Sequence, residues 1–250
     1  MNEAVRVEAL KLTRSPVGIV GSAAIVIGIG TLCAVMMAAL ASGDPQLVAK
    51  LGPGASRDWP GLVAVAAQIS GAGGLLAFGV VGAWLFGREF TDGTITGLFG
   101  LPVGRGTIAA AKLAVYAAWG AVVSAAVVMV VLLLGLALGF GAPDAAAWQE
   151  LGRLLVLGVL SVGVAVPTAW VATITRSLLG GVSVAIGLVV VAQVGVLAGG
   201  GGWVPLAAPA LWAVSGGAAV SAAQLGGAVA FAVAAGAATT WSWHRLQLDR

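Results

Sequence analysis

The sequence has few charged residues. Only 8% of its 250 residues are Asp, Glu, Lys or Arg, while 60% are hydrophobic. A soluble domain typically carries about a quarter charged residues, and it must leave much of its folded surface in water. With a mean hydropathy of +1.07, this composition excludes a water-soluble globular domain. Lipid is the solvent that suits most of this surface.

Cysteine and histidine occur once each, which removes several kinds of site. Cys33 has no second cysteine for a disulfide within the chain, and its apolar surroundings favour a small buried hydrophobe. His244 has no Cys or second His nearby, so we predict no metal site. A Ser-His-Asp triad cannot be assembled from this one histidine of the tail. The sequence also lacks a G-x-x-x-x-G-K-[ST] loop, which excludes Walker-type nucleotide binding by this chain.

Six apolar stretches are long enough to cross a membrane, which takes about 20 mainly apolar residues. The sequence therefore predicts an all-α membrane protein with a single transmembrane domain over residues 1–250. The predicted transmembrane helices cover residues 17–41, 62–86, 113–140, 154–174, 178–198 and 222–241. The first apolar run is too long for the core of a signal peptide, so we interpret it as a retained helix.

The net charge of +3 does not indicate nucleic-acid binding, because the basic residues form no patch. They indicate topology instead. With the N-terminus in the cytoplasm, the inner side carries Arg6, Lys11, Arg14, Arg88, Arg105, Lys112, Arg176, Arg245 and Arg250. The outer side carries only Lys50, Arg57 and Arg153. This positive-inside bias predicts that both termini are cytoplasmic.

Three segments outside the predicted spans carry further information. Residues 2–14 alternate charged and apolar side chains, which predicts a short interfacial helix with an apolar face from Val5 to Leu12. Residues 87–112 form the longest and most polar cytoplasmic connection. Residues 199–221 hold a run of glycines, two tryptophans and two prolines but no charge. Such a segment on the outer side predicts a re-entrant or interfacial hairpin.

The predicted spans hold no Asp, Glu, Lys or Arg in their central regions. Ion-coupled carriers usually place an ionisable group at mid-depth, so its absence disfavours a proton-coupled carrier or an ion channel. The polar residues that remain in the predicted spans are uncharged. Gln68, Phe78 and Gln193 are our candidates for lining a cavity, although packing between helices is the favoured role for the amide of Gln193.

The connection after the second predicted span reads R-E-F-T-D-G-T-I-T-G-L-F-G-L-P-V-G-R from Arg88 to Arg105. It resembles the cytoplasmic signature of ABC-2 type permeases, roughly E-x-x-x-G-T-x-x-x-L-x-x-x-P-x-x-R with a further basic residue downstream. The residues that fit this pattern are Glu89, Gly93, Thr94, Leu98, Pro102, Arg105 and Lys112. Gly104 departs from it, because a small polar residue is usual before the arginine.

The resemblance extends to the architecture, since the family has six spans, cytoplasmic termini, an N-terminal interfacial helix and a re-entrant element before the last span. The tail from Trp243 to Arg250 is also similar to the endings of many such permeases. The resemblance implies the membrane-spanning subunit of an ABC exporter in the cytoplasmic membrane. It implies two cytoplasmic ATP-binding subunits, which would hold ATP and Mg²⁺, and a second permease copy, identical or closely related. Separately, the composition rich in Ala, Gly and Val suggests a bacterial source.

The resemblance also implies that the cytoplasmic connection couples the chain to the ATPase. The residues implied in this coupling are Glu89, Gly93, Thr94, Leu98, Pro102 and Arg105. We expect Thr94 to cap a short helix, Pro102 to end it, and Ile95, Leu98 and Leu101 to present an apolar ridge to a groove. Glu89 and Arg105 would pair with each other or with charges on the ATPase.

Uncharged walls favour an apolar or amphipathic cargo, such as a lipid or a drug-like molecule. Two other classes of function stay open. One is a secondary carrier or channel that works without ATP, which would need an ion-coupling group or an inverted repeat. The other is a membrane anchor that transports nothing. For the connection itself, the alternative is a solvated loop whose charges mark the membrane boundary.

Overall fold

The computed structural model describes residues 2–43, 56–100 and 102–247, and these residues form helices and turns without a β-strand. Six helical segments in this part are long and apolar enough to cross a membrane. They confirm the predicted all-α fold, and the chain is a multi-pass membrane protein. The predicted positions of Lys50, Leu101 and Arg250 lie outside the described residues.

The first half of the chain contains three spans. Its elements are α1 (Asn2–Thr13), α2 (Pro16–Ser42), α3 (Trp59–Ile69), a π-helical turn (Ser70–Gly74), α4 (Leu75–Thr91), α5 (Ile95–Phe99) and α6 (Arg105–Ala137). The first span is α2, the third is α6, and the second runs from α3 through the π-helical turn into α4.

The second half contains the other three spans. Its elements are α7 (Ala145–Val164), α8 (Pro167–Ile174), α9 (Leu178–Leu197), a 3-10 turn (Gly201–Trp203), α10 (Ala208–Val214) and α11 (Ala222–His244). The fourth span combines α7 and α8, the fifth is α9 and the sixth is α11.

Capping residues explain why two spans begin earlier than the hydrophobic runs that we used to predict them. Asp58 accepts a hydrogen bond from the backbone N–H of Gly61 at 2.9 Å, and α3 therefore begins at Trp59. Asp144 caps α7 in the same way through the N–H of Ala147, at 2.8 Å. An N-cap of this kind stabilises a helix by about 1 kcal/mol.

The second and fourth spans are the most buried, and both are interrupted. Close packing of α4 against α9 depends on small residues. A Cβ atom at Gly79 would lie 2.9 Å from the Cβ of Ala185, and one at Gly181 would lie 2.6 Å from the Cβ of Ala83. Small residues at such crossings let the two backbones approach closely, which favours helix association in lipid.

Helix α1 packs against the protein through the apolar face that the sequence predicts. Leu12 is fully buried against Val81 and Val115, while Val7 and Leu10 on the other side are exposed. The residues that bury this face belong to α4 and α6, so α1 is held by two spans. Its location at a membrane interface stays a prediction.

The segment 199–221 folds back on the helix bundle through the 3-10 turn and α10. Leu206 and Ala208 are buried, and Gly71 in the π-helical turn packs so closely on α10 that an added Cβ would lie 2.8 Å from the Cβ of Ala210. Trp203 is exposed. The segment is therefore anchored on the second span, while its re-entry into the membrane stays a prediction.

Candidate functional site

Four charged side chains from three helices meet in a buried group that we call the charge cluster: Glu8 and Lys11 of α1, Glu89 of α4 and Lys112 of α6. The Nζ of Lys112 lies 2.7 Å from Oε2 of Glu8 and 2.8 Å from Oε1 of Glu89. The Nζ of Lys11 lies 2.7 Å from Oε1 of Glu8 and 2.9 Å from Oε1 of Glu89. The cluster joins α1 to both neighbouring spans.

The ammonium group of Lys112 is fully satisfied. Its side chain is 0% exposed, and besides the two carboxylates it donates to the backbone carbonyl of Leu85 at 3.2 Å. A lysine has three N–H donors, so each has an acceptor. In Glu89, by contrast, Oε1 accepts from both lysines while the buried Oε2 has no hydrogen-bond partner among the described residues.

The two lysines and two glutamates balance in charge, which is the condition for burying ions at tolerable cost. For Lys11, burial alone would lower the pKa, but its hydrogen bonds and attraction to Glu8 and Glu89 outweigh burial and raise the pKa above its ordinary value. Lys11 therefore stays protonated at physiological pH. The cluster holds α1, α4 and α6 together as charged partners.

Trp243 extends this group to the end of the sixth span. Its indole ring is buried, lies edge-on to Phe86 and Phe90 at centroid distances of 6.0 and 6.2 Å, and has the Nζ of Lys112 5.8 Å from its centroid. The indole N–H donates to Oγ1 of Thr173 in α8 at 3.0 Å. Five helices thus meet at one end of the bundle.

The short helix α5 lies in the connection between α4 and α6, and we call residues 92–104 the coupling segment. Ile95 is 6% exposed and belongs to the main core, and Leu98 packs partly buried against it. The expectation of an outward apolar ridge is therefore corrected for both residues, which fix α5 to the protein. The third residue of that ridge, Leu101, lies outside the described residues.

The expected cap on α5 is also corrected. Thr94 occupies the N-cap position, but its backbone is helical and its side chain makes no capping hydrogen bond. Gly93 just before it adopts a φ of +68°, a left-handed conformation that favours glycine. Gly93 and Asp92 turn the chain after α4. The backbone at Thr94 is therefore already helical, and its side chain does not cap α5.

The exposed residues of the coupling segment are mostly small or mildly polar, with Asp92 and Val103 as the exceptions. Gly93, Thr94, Thr96, Gly97 and Pro102 are exposed. This surface carries little charge and little bulk, so a second protein could approach the backbone of α5 closely. It differs from the ridge that the sequence suggested, because Ile95 and Leu98 pack against the permease.

Glu89 and Arg105 lie apart from that surface. Glu89 is 2% exposed, and its carboxylate is engaged by Lys11 and Lys112. It does not offer its charge to a second protein, which corrects that expectation. Arg105 begins α6 and donates from its guanidinium to the backbone carbonyl of Leu246, so it ties the coupling segment to the tail.

Gln68 and Gln193 line one pocket of about 240 Å³, which we call the amide pocket. Its other walls are apolar residues of the π-helical turn, α4, α9 and α10, among them Leu75, Val189 and Leu211. Neither amide hydrogen-bonds to another described residue. The structure thus brings two of the three predicted lining residues together, while their binding of a cargo stays a prediction.

Phe78, the third candidate, lies elsewhere. It is 3% exposed and packs edge-on against Trp119 with ring centroids 5.7 Å apart. Its backbone carbonyl accepts a hydrogen bond from the hydroxyl of Tyr116 at 2.9 Å. Phe78 therefore contributes to the contact between α4 and α6, and it does not line the amide pocket.

A comparison with protein families identifies the chain. The sequence model of the ABC-2 family transporter proteins matches residues 4–193. The chain belongs to the ABC-2 transporter family. ABC-2 permeases are transport components of the membrane and are not themselves catalytic, and the family implies association with ATP-binding subunits. The match includes most of α1, the coupling segment and Gln193. No curated protein matches the sequence.

Sequence reasoning missed three contributors to this end of the permease: Glu8, Lys11 and Trp243. The spacing of Glu8 and Lys11 allows an ion pair within α1, but nothing in it shows that Glu89 and Lys112 complete the pair from other helices. The sequence singled out Trp243 only as the first residue of the tail. The signal available in the sequence was the position of Glu8 and Lys11 beside the apolar face of α1.

Proposed function

We propose that this permease is the membrane-spanning subunit of an ATP-driven exporter that works with two cytoplasmic ATP-binding subunits. The observation that carries the proposal is the coupling segment of this ABC-2 permease, which is exposed on one side and fixed to the core by Ile95 on the other. Mg²⁺ and ATP would be bound by the partner subunits. A second permease copy, identical or closely related, would complete the transporter.

The coupling segment suits the transfer of force. A push on the exposed face of α5 would pass through Ile95 into the core and through α4 into the charge cluster. Because the cluster fixes α1, α4 and α6 to one another, these helices would move together. Glu89 then acts in coupling as a positioning residue inside the permease, without touching the ATPase.

The amide pocket supports an apolar or amphipathic cargo that carries hydrogen-bonding groups. Its walls are mostly aliphatic, and the side chains of Gln68 and Gln193 offer both hydrogen-bond donors and acceptors. Pockets of this kind use a few polar groups to orient a ligand that apolar contacts bind. Movement of the cargo is proposed to run from the cytoplasm outward.

The proposed orientation places the charge cluster and both termini in the cytoplasm. Support comes from the basic residues, because Lys11, Lys112 and Arg105 all lie near the coupling segment. Arg153 lies at the opposite end of the bundle, beside Glu150 and near the start of α3. By the positive-inside rule, we expect the coupling end to lie on the cytoplasmic side of the cell membrane.

The test is recovery of the ATPase with tagged permease from native membranes. Thr96→Arg places a bulky charge on the exposed face of α5, and we expect recovery of a Walker-motif protein to fall at least about tenfold, which corresponds to about 1.4 kcal/mol. Thr13→Arg is the matched control. Both threonines are exposed, and each hydroxyl donates to a nearby backbone carbonyl.

Equal recovery from Thr96→Arg and the unaltered permease would remove the docking role of α5. Recovery of no ATPase by the unaltered permease would favour the two other classes, a carrier that works without ATP or a membrane anchor. Transport into inverted vesicles separates these two, because an anchor moves no cargo when ATP or an ion gradient is supplied.

A further inference from the structure

An open cleft lies between the beginning of α6 and the end of α11, and we call it the basic cleft. It has a volume of about 710 Å³. Its lining residues are Gly106, Ala237, Thr240, Trp241, His244 and Arg245. One wall is therefore the last two turns of the sixth span, and the other is the first turn of the third.

Arg245 and Trp241 form the most prominent contact in the basic cleft. The guanidinium carbon of Arg245 lies 4.3 Å from the ring centroid of Trp241, and the indole is 57% exposed. Arg245 forms no ion pair with an acidic side chain among the described residues. Its charge is thus held in place by an aromatic ring and is still available to an anion.

The surroundings of the cleft keep this arrangement fixed. Arg105 donates to the carbonyl of Leu246, and Arg176 donates to the carbonyl of Gln247 at 2.7 Å. Both bonds hold the chain directly after Arg245, one against the start of α6 and the other against the turn that follows α8. The position of Arg245 beside the cleft is therefore fixed by tertiary contacts of the residues that follow it.

We propose that the basic cleft binds the phosphate headgroup of an anionic phospholipid, with Arg245 as the charged contact and Trp241 beside the glycerol region. Three observations favour lipid as the occupant. The cleft lies at the end of a membrane span, its lining at Ala237 is apolar, and an exposed tryptophan there is typical of the headgroup level. Basic pockets between transmembrane helices bind anionic headgroups.

Hydrogen-bond donors complete the site. The imidazole of His244 and the indole N–H of Trp241 can each donate to phosphate oxygens, and the guanidinium of Arg245 matches a phosphate in bidentate geometry. A free phosphate would use the same donors but would leave the exposed face of Trp241 uncovered. A lipid covers that face as well.

Native mass spectrometry of the purified permease tests this inference without any ATPase, so its result is independent of the proposed function. Permease is incubated with equal amounts of phosphatidylglycerol and phosphatidylcholine in detergent, and the retained lipids are counted. We expect a preference for phosphatidylglycerol that Arg245→Gln lowers about fivefold, the loss of about one basic contact. Arg245→Lys should restore part of it.

Arg14→Gln is the control, because Arg14 is an exposed arginine at the same end of the bundle, in the turn after α1. It should leave the preference unchanged. Equal losses in Arg14→Gln and Arg245→Gln would reduce the effect to overall charge and overturn the site. Competition by free glycerol phosphate at the same concentration as the lipid would also overturn it, since the acyl chains would then contribute nothing.

Discussion

Two charged regions lie at the same end of this permease and differ in how their charges are compensated. In the charge cluster, Lys112 is 0% exposed and has Glu8 and Glu89 as partners within 2.8 Å. In the basic cleft, Arg245 is exposed, and its described contact is the ring of Trp241. The cluster is complete within the chain, while the cleft has charge to offer to another molecule.

The difference shows how burial separates structural charges from binding charges. Removing one partner from a buried ion pair leaves an uncompensated charge in a medium of low dielectric, which is strongly destabilising. An exposed charge is solvated with or without a partner, so its loss changes stability little. The cluster should therefore determine whether the helices stay together, and the cleft should determine only what binds.

The largest effect is expected for Lys112→Met, which breaks the charge cluster. It leaves Glu8 and Glu89 with Lys11 as their only described cation, and we expect a loss of about 3–5 kcal/mol in the free energy of unfolding. Thermal unfolding in detergent, followed by the fluorescence of the tryptophans, measures the change. A loss below about 1 kcal/mol would mean that the cluster is solvated and that the comparison fails.

A medium effect is expected for Lys11→Met, because this lysine is the more exposed of the two, at 26% of its side chain. We expect a loss of about 1–2 kcal/mol, which lies between the values for a buried hydrogen bond to a charged group and for an exposed ion pair. A raised pKa means that the contribution of Lys11 is complete below the ordinary lysine value and declines only as the pH rises through the folded-state value. The difference from the unaltered permease should thus be constant between about pH 6 and 9, and a change in that window would contradict the assignment.

The smallest effect on stability is expected for Arg245→Gln. The change in unfolding free energy should stay within about 0.5 kcal/mol, as for other surface substitutions, although the lipid preference falls. The same unfolding assay, with and without added phosphatidylglycerol, sharpens the comparison. A loss as large as that of Lys112→Met would place Arg245 among the structural charges.

The coupling segment shows how far sequence reasoning reached into the candidate site. The residue pattern located the segment, and a short helix does follow Gly93. The direction of its side chains was not predictable, because Ile95 and Leu98 are equally suited to a groove on a partner and to the core of the permease. Only the position of α5 against the spans selects the second arrangement.

The burial of the Glu89 charge was also not predictable from the sequence. The place of Glu89 at the end of a predicted span indicated a residue at the membrane boundary, and such a residue is normally solvated. The structure buries it because α1 folds over the end of α4 and supplies Glu8 and Lys11. The partners are separated from Glu89 along the chain, and no local pattern connects them.

Gln68 and Gln193 were candidates because they are uncharged polar residues within apolar spans, and that reasoning is local to each residue. Their common pocket depends on the π-helical turn at Ser70–Gly74 and on the packing of α10 against it. A run of Gly and Ala allows many helix geometries. The sequence therefore left open which faces of α3 and α9 meet.

The sequence by itself determined the number of spans, their helical form and their membership in a membrane fold, because twenty apolar residues in lipid can satisfy their backbone only within a helix. Capping residues set the true helix starts at Asp58 and Asp144. Tertiary structure decided which charges are buried, which face of α5 is exposed and which amides share a pocket. These properties depend on contacts between segments far apart in the chain, and hydropathy carries no information about such pairs.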